Sequence, residues 1–115
     1  MSLRARSRAE GGLRDPAPLF AALGDETRLR LVARLCDQGP MSITGLAAGS
    51  PITRQAVTKH LQVMEHARLV ESTWRGRERV WTLDRQRLSE ARRYLELISK
   101  QWDDALNRLR AFVED

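Results

Sequence analysis

Hydrogen-bonding and basic side chains recur at helical spacing within the stretch TRQAVTKHLQVMEHARLV, residues 53–70. At about 100° per residue, one arc of such a helix carries Arg54, Gln55, Thr58, Lys59 and Gln62. Glutamine can form two hydrogen bonds with adenine, arginine can form two with guanine, and threonine offers a hydroxyl and a methyl group. No carboxylate precedes Glu65, so the first turns would not repel phosphates. The arc predicts a contact with a DNA major groove, and a merely solvated helix face is the alternative.

The opposite arc of the same stretch is apolar and predicts the side that packs on a core. It carries Val57, Leu61 and Met64. His60 also lies on this arc, so we expect it to be a partly buried docking residue, with a contact to a phosphate as the alternative. His66 falls on the polar side and is expected to be solvated.

Three arginines surround a glycine farther along the chain, in the segment RGRER at 75–79. Arg75, Arg77 and Arg79 alternate, which predicts that they share one face of a hairpin and lie along phosphates or enter a minor groove. A charged hairpin that keeps a sheet edge from aggregating is the alternative. The flanking Trp74 and Trp81 are expected to be packing residues.

Side-chain caps and helix breakers divide residues 16–66 into four predicted helices. Pro16 can open the first, while Asp25, Ser42 and Thr53 can cap the second, third and fourth. Only the short segment GSP at 49–51 separates the third helix from the fourth. Two helices joined by so tight a turn are typical of a helix-turn-helix.

The second helix shows an apolar stripe at positions i, i+3, i+4 and i+7, which predicts a core-facing side. Leu31 and Leu35 widen it. Cys36 is therefore expected to be a small buried residue, and an exposed, redox-sensing thiol is the alternative. The stripe consists of Leu29, Val32, Ala33 and Cys36.

After the fourth helix the hydrophobic period changes from about 3.6 residues to 2. Residues 69–74 and 80–83 are rich in apolar and β-branched side chains and predict two strands, with Gly76 at the tip of their hairpin. The predicted fold is therefore mainly α with a small β-hairpin: a winged helix-turn-helix of four helices, two strands and a final helix.

The final helix, predicted over 87–113, repeats apolar residues at alternating steps of three and four, as in a coiled coil. This pattern predicts a face that is buried against a partner, or in part against the chain's own core. The series is Leu88, Ala91, Leu95, Ile98, Trp102, Ala105, Leu109 and Phe112.

The overall charge is compatible with a polyanionic partner, since the formal net charge is +5. Residues 53–81 hold five Arg and one Lys against three Glu, and residues 1–14 hold four Arg and one Glu. Residues 1–15 are predicted to be a flexible basic arm and residues 16–115 a single domain. No apolar run approaches the roughly 20 residues that span a membrane.

Three segments together resemble the ArsR-type winged-helix transcriptional regulators: ALGDETRLRLVARL at 22–35, TRQAVTKHLQVMEHARLV at 53–70 and GRERVWTL at 76–83. The resemblance implies a homodimeric repressor of double-stranded DNA, with the fourth helix as recognition helix and the hairpin as wing. The first and last helices would form the dimer interface. The expected DNA contacts are Ser42, Thr53, Arg54, Gln55, Thr58, Lys59, His60, Gln62, Arg75, Arg77 and Arg79. The expected interface residues are Leu19, Phe20, Leu88, Leu95, Ile98, Trp102 and Leu109.

Departures from that family pattern argue against metal sensing. The metal-sensing branch carries a cysteine pair before the recognition helix, where this chain reads SITGLAAGS at 42–50, and another metal site needs histidine on the terminal helix, which has none here. We therefore expect no metal or other cofactor, and a non-metal inducer or none.

Other function classes receive less support from the sequence. It shows no Gly-rich phosphate loop and no nucleophile–base pair at a recognisable spacing, so we do not expect an enzyme. A winged-helix module that binds protein is the main alternative to a DNA-binding regulator. The single cysteine fits a reducing compartment, and the expected location is the bacterial or archaeal cytoplasm, at the nucleoid.

Overall fold

The computed structural model describes residues 15–114, and it confirms a mainly helical fold with a small antiparallel sheet. The predicted arm lies outside the described residues except for Asp15. The helices are α1 Ala17–Leu23, α2 Glu26–Gln38, α3 Ile43–Ala48, α4 Arg54–His66 and α5 Arg85–Glu114. The strands are β1 Met41–Ser42, β2 Val70–Arg75 and β3 Glu78–Leu83.

Side chains cap the three helices at the positions that the sequence predicts. The Asp25 carboxylate accepts from the Arg28 amide at 3.0 Å, at the start of α2. The Ser42 hydroxyl oxygen accepts from the Gly45 amide at 3.1 Å, and that of Thr53 accepts from the Ala56 amide at 3.1 Å. Each bond satisfies one backbone donor that a helix amino terminus otherwise leaves free.

The buried side of α2 differs from the predicted stripe. Leu31, Val32 and Leu35 are buried, whereas Leu29 is 50% exposed and Ala33 is exposed. Two overlapping apolar stripes fit the helical period, and packing against the rest of the core selects the one containing Leu31 and Leu35. The predicted burial of Cys36 is wrong for the same reason, because its thiol lies on the exposed side.

The sheet has three strands in the order β1-β3-β2, one more than the sequence predicts. The added strand β1 pairs Met41 with Trp81 and Ser42 with Val80. Two residues are too few to show an alternating pattern, which is why β1 was not predicted. The predicted hairpin is present: Arg75 pairs with Glu78 across a tip at which Gly76 adopts a φ of 64°.

A single core lies between the short helices and the sheet. Leu46, Leu61, Met64 and Trp81 are among its fully buried side chains. They come from α3, α4 and β3, so the core holds the helix-turn-helix and the hairpin together. The predicted apolar arc of α4 and the predicted packing role of Trp81 are both confirmed.

The end of α4 is set by a residue in the left-handed conformation, Arg68 at a φ of 62°. The Arg68 amide donates to the Glu65 carbonyl and the Leu69 amide donates to the Met64 carbonyl, each at 2.9 Å. This pair of bonds is a Schellman motif, which closes a helix and turns the chain away. It sends the chain from α4 directly into β2.

An ion pair that the sequence did not reveal fixes the start of α5. Arg87 and Glu90 are both buried, and Arg87 Nη1 donates to Glu90 Oε2 at 2.9 Å. Arg87 Nε also donates to the Ala67 carbonyl at 3.0 Å, and Nη2 donates to the Asp15 carbonyl at 2.9 Å. The first turns of α5 are thereby joined to the end of α4 and to the residues that precede α1.

Candidate nucleic-acid interface

The outward face of α4 carries the predicted polar residues in solvent. Arg54, Gln55, Lys59 and Gln62 are all exposed. Thr58 is half-buried and its hydroxyl donates to the Arg54 carbonyl at 2.9 Å, which leaves the methyl group and the oxygen lone pairs for other contacts. The structure therefore brings these five residues to one surface of one rigid helix.

The hydroxyls that cap α3 and α4 have only part of their bonding capacity in use. Thr53 is exposed and Ser42 is half-buried, and each oxygen accepts a helix amide. A hydroxyl that accepts in this way still has a hydrogen to donate. Each can thus cap a helix and donate to a phosphate at the same time.

His60 lies between α4 and the start of α2, as expected for a docking residue. Its Nδ1 is 3.2 Å from Arg28 Nη1 and 3.9 Å from Asp25 Oδ2. A guanidinium can only donate, so Nδ1 accepts from Arg28 and the ring proton sits on Nε2. Arg28 Nε also donates to the Ala22 carbonyl at 2.7 Å, so one guanidinium joins α1, α2 and α4.

Asp25 completes this cluster as an ionised group. Its pKa is held below the usual value, first because its carboxylate accepts from the Arg28 backbone amide, and further because of the positive charge of Arg28. Partial desolvation opposes the shift without reversing it. The carboxylate is consequently charged at neutral pH beside the amino terminus of α2, where a helix favours negative charge.

The hairpin arginines do not share one face, which corrects the prediction. Gly76 and Arg77 form the turn, so Arg75 pairs with Glu78 while Arg79 pairs with Trp74 on the other side of the ribbon. The two turn residues belong to neither strand, so the alternation of faces does not continue from Arg75 to Arg79. The number of residues in the turn cannot be read from the spacing of the arginines. Arg75 and Arg77 remain exposed at the tip.

Arg79 instead packs on its own domain. Its Nε donates to the Ser72 hydroxyl at 2.8 Å, and its Nη2 lies 3.5 Å from Glu65 Oε2. The guanidinium carbon is 4.5 Å from the ring centroid of Trp81, within the range of a cation–π contact. These bonds leave Arg79 less free to contact DNA than Arg75 or Arg77.

The other tryptophan of the hairpin, Trp74, is 68% exposed, so its predicted packing role is wrong.

Arg34 supports the turn of the helix-turn-helix and was missed by sequence reasoning. Its Nη1 donates to the Leu46 carbonyl at 2.5 Å and its Nη2 donates to the Gly45 carbonyl at 3.0 Å. A Cβ at Gly49 would come within 3.4 Å of the same guanidinium. Arg34 therefore satisfies carbonyls of α3 just before the chain turns into α4. Its position three residues after the apolar Leu31 is a spacing that places two side chains on one side of a helix, and this was the available signal.

Comparison with known proteins agrees with this geometry. A family model described as a helix-turn-helix domain matches residues 23–73. The chain is 36% identical over 103 residues to the HTH-type transcriptional regulator Rv2034 of Mycobacterium tuberculosis, covering 79% of this chain and 95% of that protein. An ArsR-like transcriptional regulator from Rhodococcus sp. RHA1 is 36% identical, with a TM-score of 0.74 over 84% of this chain and 90% of that one. This chain belongs to the ArsR-type winged helix-turn-helix regulators.

A third relative shows how far the architecture extends. The structure of the AntR antimony-specific transcriptional repressor is 27% identical and superposes with a TM-score of 0.58, covering 90% of each chain. As an ArsR-type regulator, the present protein is a DNA-binding transcriptional regulator. In it α3 and α4 form the helix-turn-helix, and β2 and β3 form the wing.

The regulator's described residues, 15–114, contain no group of three or more His, Cys, Asp or Glu side chains that could hold a metal ion. Within the same range, no helix is both long enough and apolar enough to cross a membrane.

The second half of α5 presents apolar side chains to solvent. Beyond Ala91 no residue up to 114 is buried. Leu95, Ile98 and Leu109 are exposed, and Trp102 is 64% exposed. At about 1.5 Å per residue, a helix of 30 residues extends roughly 45 Å, well past the core that its first turns contact.

The expected interface residues on α1 and at the start of α5 fall into three groups. Leu19 is fully buried in the chain's own core, so the expectation that it contacts a partner has to be withdrawn. Leu88 is half-buried against the same core. Phe20 is half-buried and packs on Tyr94 of α5, with ring centroids 5.8 Å apart and the rings tilted by 47°. Phe20 thus borders the apolar face of α5, while Leu19 belongs to the core.

Proposed function

We propose that this ArsR-type regulator is a homodimeric repressor that binds an inverted repeat in double-stranded DNA through a pair of α4 helices. The observation that carries the proposal is the outward face of α4, where Arg54, Gln55, Lys59 and Gln62 are exposed together and no acid precedes Glu65. Glu65 itself lies 3.5 Å from Arg79, so its charge is offset on the wing side. The face is polar, basic and held rigid by an apolar arc, as a major-groove reader needs to be.

The wing has a positioning role in this proposal. Arg75 and Arg77 are exposed at the tip and make no side-chain hydrogen bond or ion pair within residues 15–114, so they can lie along phosphates. The remaining proposed contacts are Ser42, Thr53, Thr58 and His60, because each lies on or directly before a helix of the helix-turn-helix and has a donor or a methyl group. Arg79 contributes through the Glu65 pair more than through a direct bond to DNA.

The proposed dimer rests on the exposed apolar face of α5. Leu95, Ile98, Trp102 and Leu109 follow one another at steps of three, four and seven along one side of the helix. Such a face is typical of helices that pair, because each side chain inserts between those of the partner. Phe20 extends the face onto α1, and Leu88 contributes its exposed part.

Inverted-repeat binding follows from a twofold dimer. Two recognition helices related by a twofold axis would enter successive major grooves about one helical turn apart. We propose no metal and no cofactor for this function, and the geometry assigns no inducer by itself. The protein would act at the nucleoid.

A gel-shift titration against the regulator's own promoter region tests the proposal. We expect promoter DNA to be bound at least roughly a thousandfold more tightly than random DNA of the same length, the usual lower range for specific binding. Affinity should also fall steeply with salt, because phosphate contacts release counterions. Equal affinity for the two DNAs would contradict sequence-specific repression and favour a protein-binding module.

Two variants separate base reading from phosphate contact. Gln55→Ala should weaken promoter binding by roughly tenfold or more while random DNA is bound as before, because one base-pair contact discriminates by about 1–3 kcal/mol. Arg77→Ala should weaken both complexes alike and lower the salt slope by about one. Arg93→Gln, an exposed change on α5, is the matched control and should alter neither.

A further inference from the structure

A cavity of about 350 Å³ lies between α2 and the turn that joins α3 to α4. Thr27, Leu31 and Arg34 face it from successive turns of α2, and Pro51 and Ile52 face it from the turn. Small-molecule sites usually have volumes of roughly 300–1,000 Å³, so this cavity can hold a molecule of one or two rings. It lies apart from the outward face of α4 and from the apolar face of α5.

The cavity combines apolar walls with positive charge. Leu31 and Ile52 supply apolar wall, and Arg30 and Arg34 supply two guanidinium groups one turn apart. Neither Glu26 nor Asp37, the acids nearest to them in sequence, lines the cavity, and Glu26 is already bonded to Arg30. Guanidinium groups bind carboxylates through two parallel hydrogen bonds, so the chemistry favours an apolar molecule with one carboxylate.

Arg34 has donors left for such a ligand. Nη1 and Nη2 each give one hydrogen to carbonyls of α3, and Nε makes no hydrogen bond to any residue in the range 15–114. A guanidinium has five N–H donors, so three remain. Its position is fixed by the bonds to Leu46 and Gly45, and a carboxylate would therefore meet a charge that is already oriented.

The same arginine connects the cavity to the DNA-reading helix. The carbonyls that Arg34 holds belong to α3, and the cavity wall formed by residues 49–52 runs directly into Thr53, the cap of α4. A carboxylate bound to the three remaining donors would share one guanidinium with the carbonyls of α3. Occupancy of the cavity would thus change how α3 and α4 are held relative to each other.

We propose that this cavity binds a small apolar carboxylate and that its occupancy alters the affinity of the regulator for DNA. The binding part stands independently of the function proposed above, whereas the regulatory part rests on that function. 2-Naphthoate is a suitable probe because it carries one carboxylate on an apolar body of two rings. 2-Naphthalenemethanol has a matching body without the charge.

Amide chemical shifts of the full-length protein test the binding part. Titration with 2-naphthoate should shift the signals of Gly49, Ser50 and Ile52 in a saturable way. The alcohol should bind at least roughly tenfold more weakly, the ratio for loss of a hydrogen bond to a charged group. Equal binding of the two probes, or shifts confined to the exposed face of α5, would overturn the site.

Variants locate the charge that the carboxylate meets. Arg34→Gln should weaken 2-naphthoate by roughly tenfold, because an oriented charged donor is lost. Since that change also removes bonds to α3, Arg30→Gln serves as the second variant; Arg30 is exposed, and a loss of about two- to fivefold is expected. The control Arg93→Gln should bind the probe like wild type. Unchanged binding in Arg30→Gln and in a folded Arg34→Gln would refute the assignment.

A gel-shift titration with and without saturating 2-naphthoate tests the regulatory part. A change in affinity of threefold or more, absent in Arg30→Gln at the same probe concentration, supports it. If the protein binds promoter DNA with the same affinity in both conditions, the regulatory part is wrong while the binding site stands on the chemical shifts. If it binds no DNA specifically even without the probe, the proposed function fails, and with it the regulatory part.

Discussion

Helices α4 and α5 each expose one long face, and the two faces differ in chemistry. The face of α4 is polar and basic, with Arg54, Gln55, Lys59 and Gln62 in water. The face of α5 is apolar, with Trp102 64% exposed among leucine and isoleucine side chains. Polar side chains cost little to leave solvated, whereas exposed apolar area costs about 25 cal/mol per Å² relative to burial. In the single chain, the exposed face of α4 is therefore stable in water, whereas the exposed face of α5 would gain free energy by being buried.

The two helices also differ in how they are attached. Val57, Leu61 and Met64 bury one side of α4 along its whole length. Within residues 15–114, α5 is held to the core by its first turns, where Arg87, Glu90 and Ala91 are buried. A reading helix has to be fixed along its length to discriminate bases, while a helix that pairs with a second copy can obtain its support from that copy.

The largest effect is expected from breaking the attachment of α5. Arg87→Ala breaks a buried ion pair and also removes the bonds to the Ala67 and Asp15 carbonyls, and breaking a buried pair typically costs about 3–5 kcal/mol. Urea unfolding should show this loss of free energy. Arg92→Ala removes an exposed pair with Glu96 and is the control, with an expected change of about 0–1 kcal/mol. Similar values for both variants would mean that Arg87 does not anchor the helix.

A change on the apolar face of α5 should weaken the proposed dimer. Trp102→Glu puts a charge in the proposed α5 interface, and loss of a central aromatic costs at least about 2 kcal/mol of association energy. Sedimentation at micromolar concentration should show a shift from dimer to monomer, with unfolding of the monomer unchanged. Lys100→Glu adds a negative charge nearby, off the heptad positions, and is the control. A Trp102→Glu protein that sediments like wild type would place the interface elsewhere.

A smaller effect is expected where α4 begins. Thr53→Ala removes the cap of the Ala56 amide and should lower stability by about 1 kcal/mol, with a matching decrease in the midpoint of thermal unfolding. Thr53→Ser keeps the hydroxyl and should lie close to wild type. If alanine and serine behave alike, the hydroxyl is not what stabilises the first turn.

The smallest effect concerns the carboxylate beside His60. The pKa of Asp25 is lowered from 3.8 in the folded chain, so its contribution to stability is present above pH 3.8 and is lost as the pH falls through the folded value. Asp25→Asn keeps a capping group but cannot titrate. The difference in unfolding free energy between wild type and this variant should therefore shrink on acidification below pH 3.8. A difference that stays constant down to strong acid would contradict the assigned shift.

Sequence patterns predicted the features that depend on local chemistry. Caps at Asp25, Ser42 and Thr53 were predictable because a capping side chain acts within its own turn. The apolar arc of α4 was predictable because its period is unambiguous. The winged-helix fold followed from the order of such elements, with the hairpin placed by Gly76. The ArsR-type family was recognised from the resemblance of residues 22–35, 53–70 and 76–83.

Features that depend on packing between distant segments were not predictable. The buried side of α2 was wrong at Leu29 and Cys36, because two stripes fit the helical period equally well. Arg79 was misplaced because the alternation of a hairpin depends on how many residues its turn takes. Trp74 was misplaced because it shares a face with the buried Trp81 but lies two pairs nearer the hairpin tip, where it is exposed. The Arg87–Glu90 pair was missed because charged residues at helical spacing usually face solvent.

Strand β1 is only two residues long, yet it connects the helix-turn-helix to the hairpin. Ser42 caps α3 and also pairs with Val80 of the wing strand, so one residue belongs to both halves of the proposed DNA-binding surface. The pairing thereby sets the distance between α4 and the tip of the hairpin within a single chain. Adaptation to different half-site spacings would then have to come from the way two protomers are joined, and not from flexing within either one.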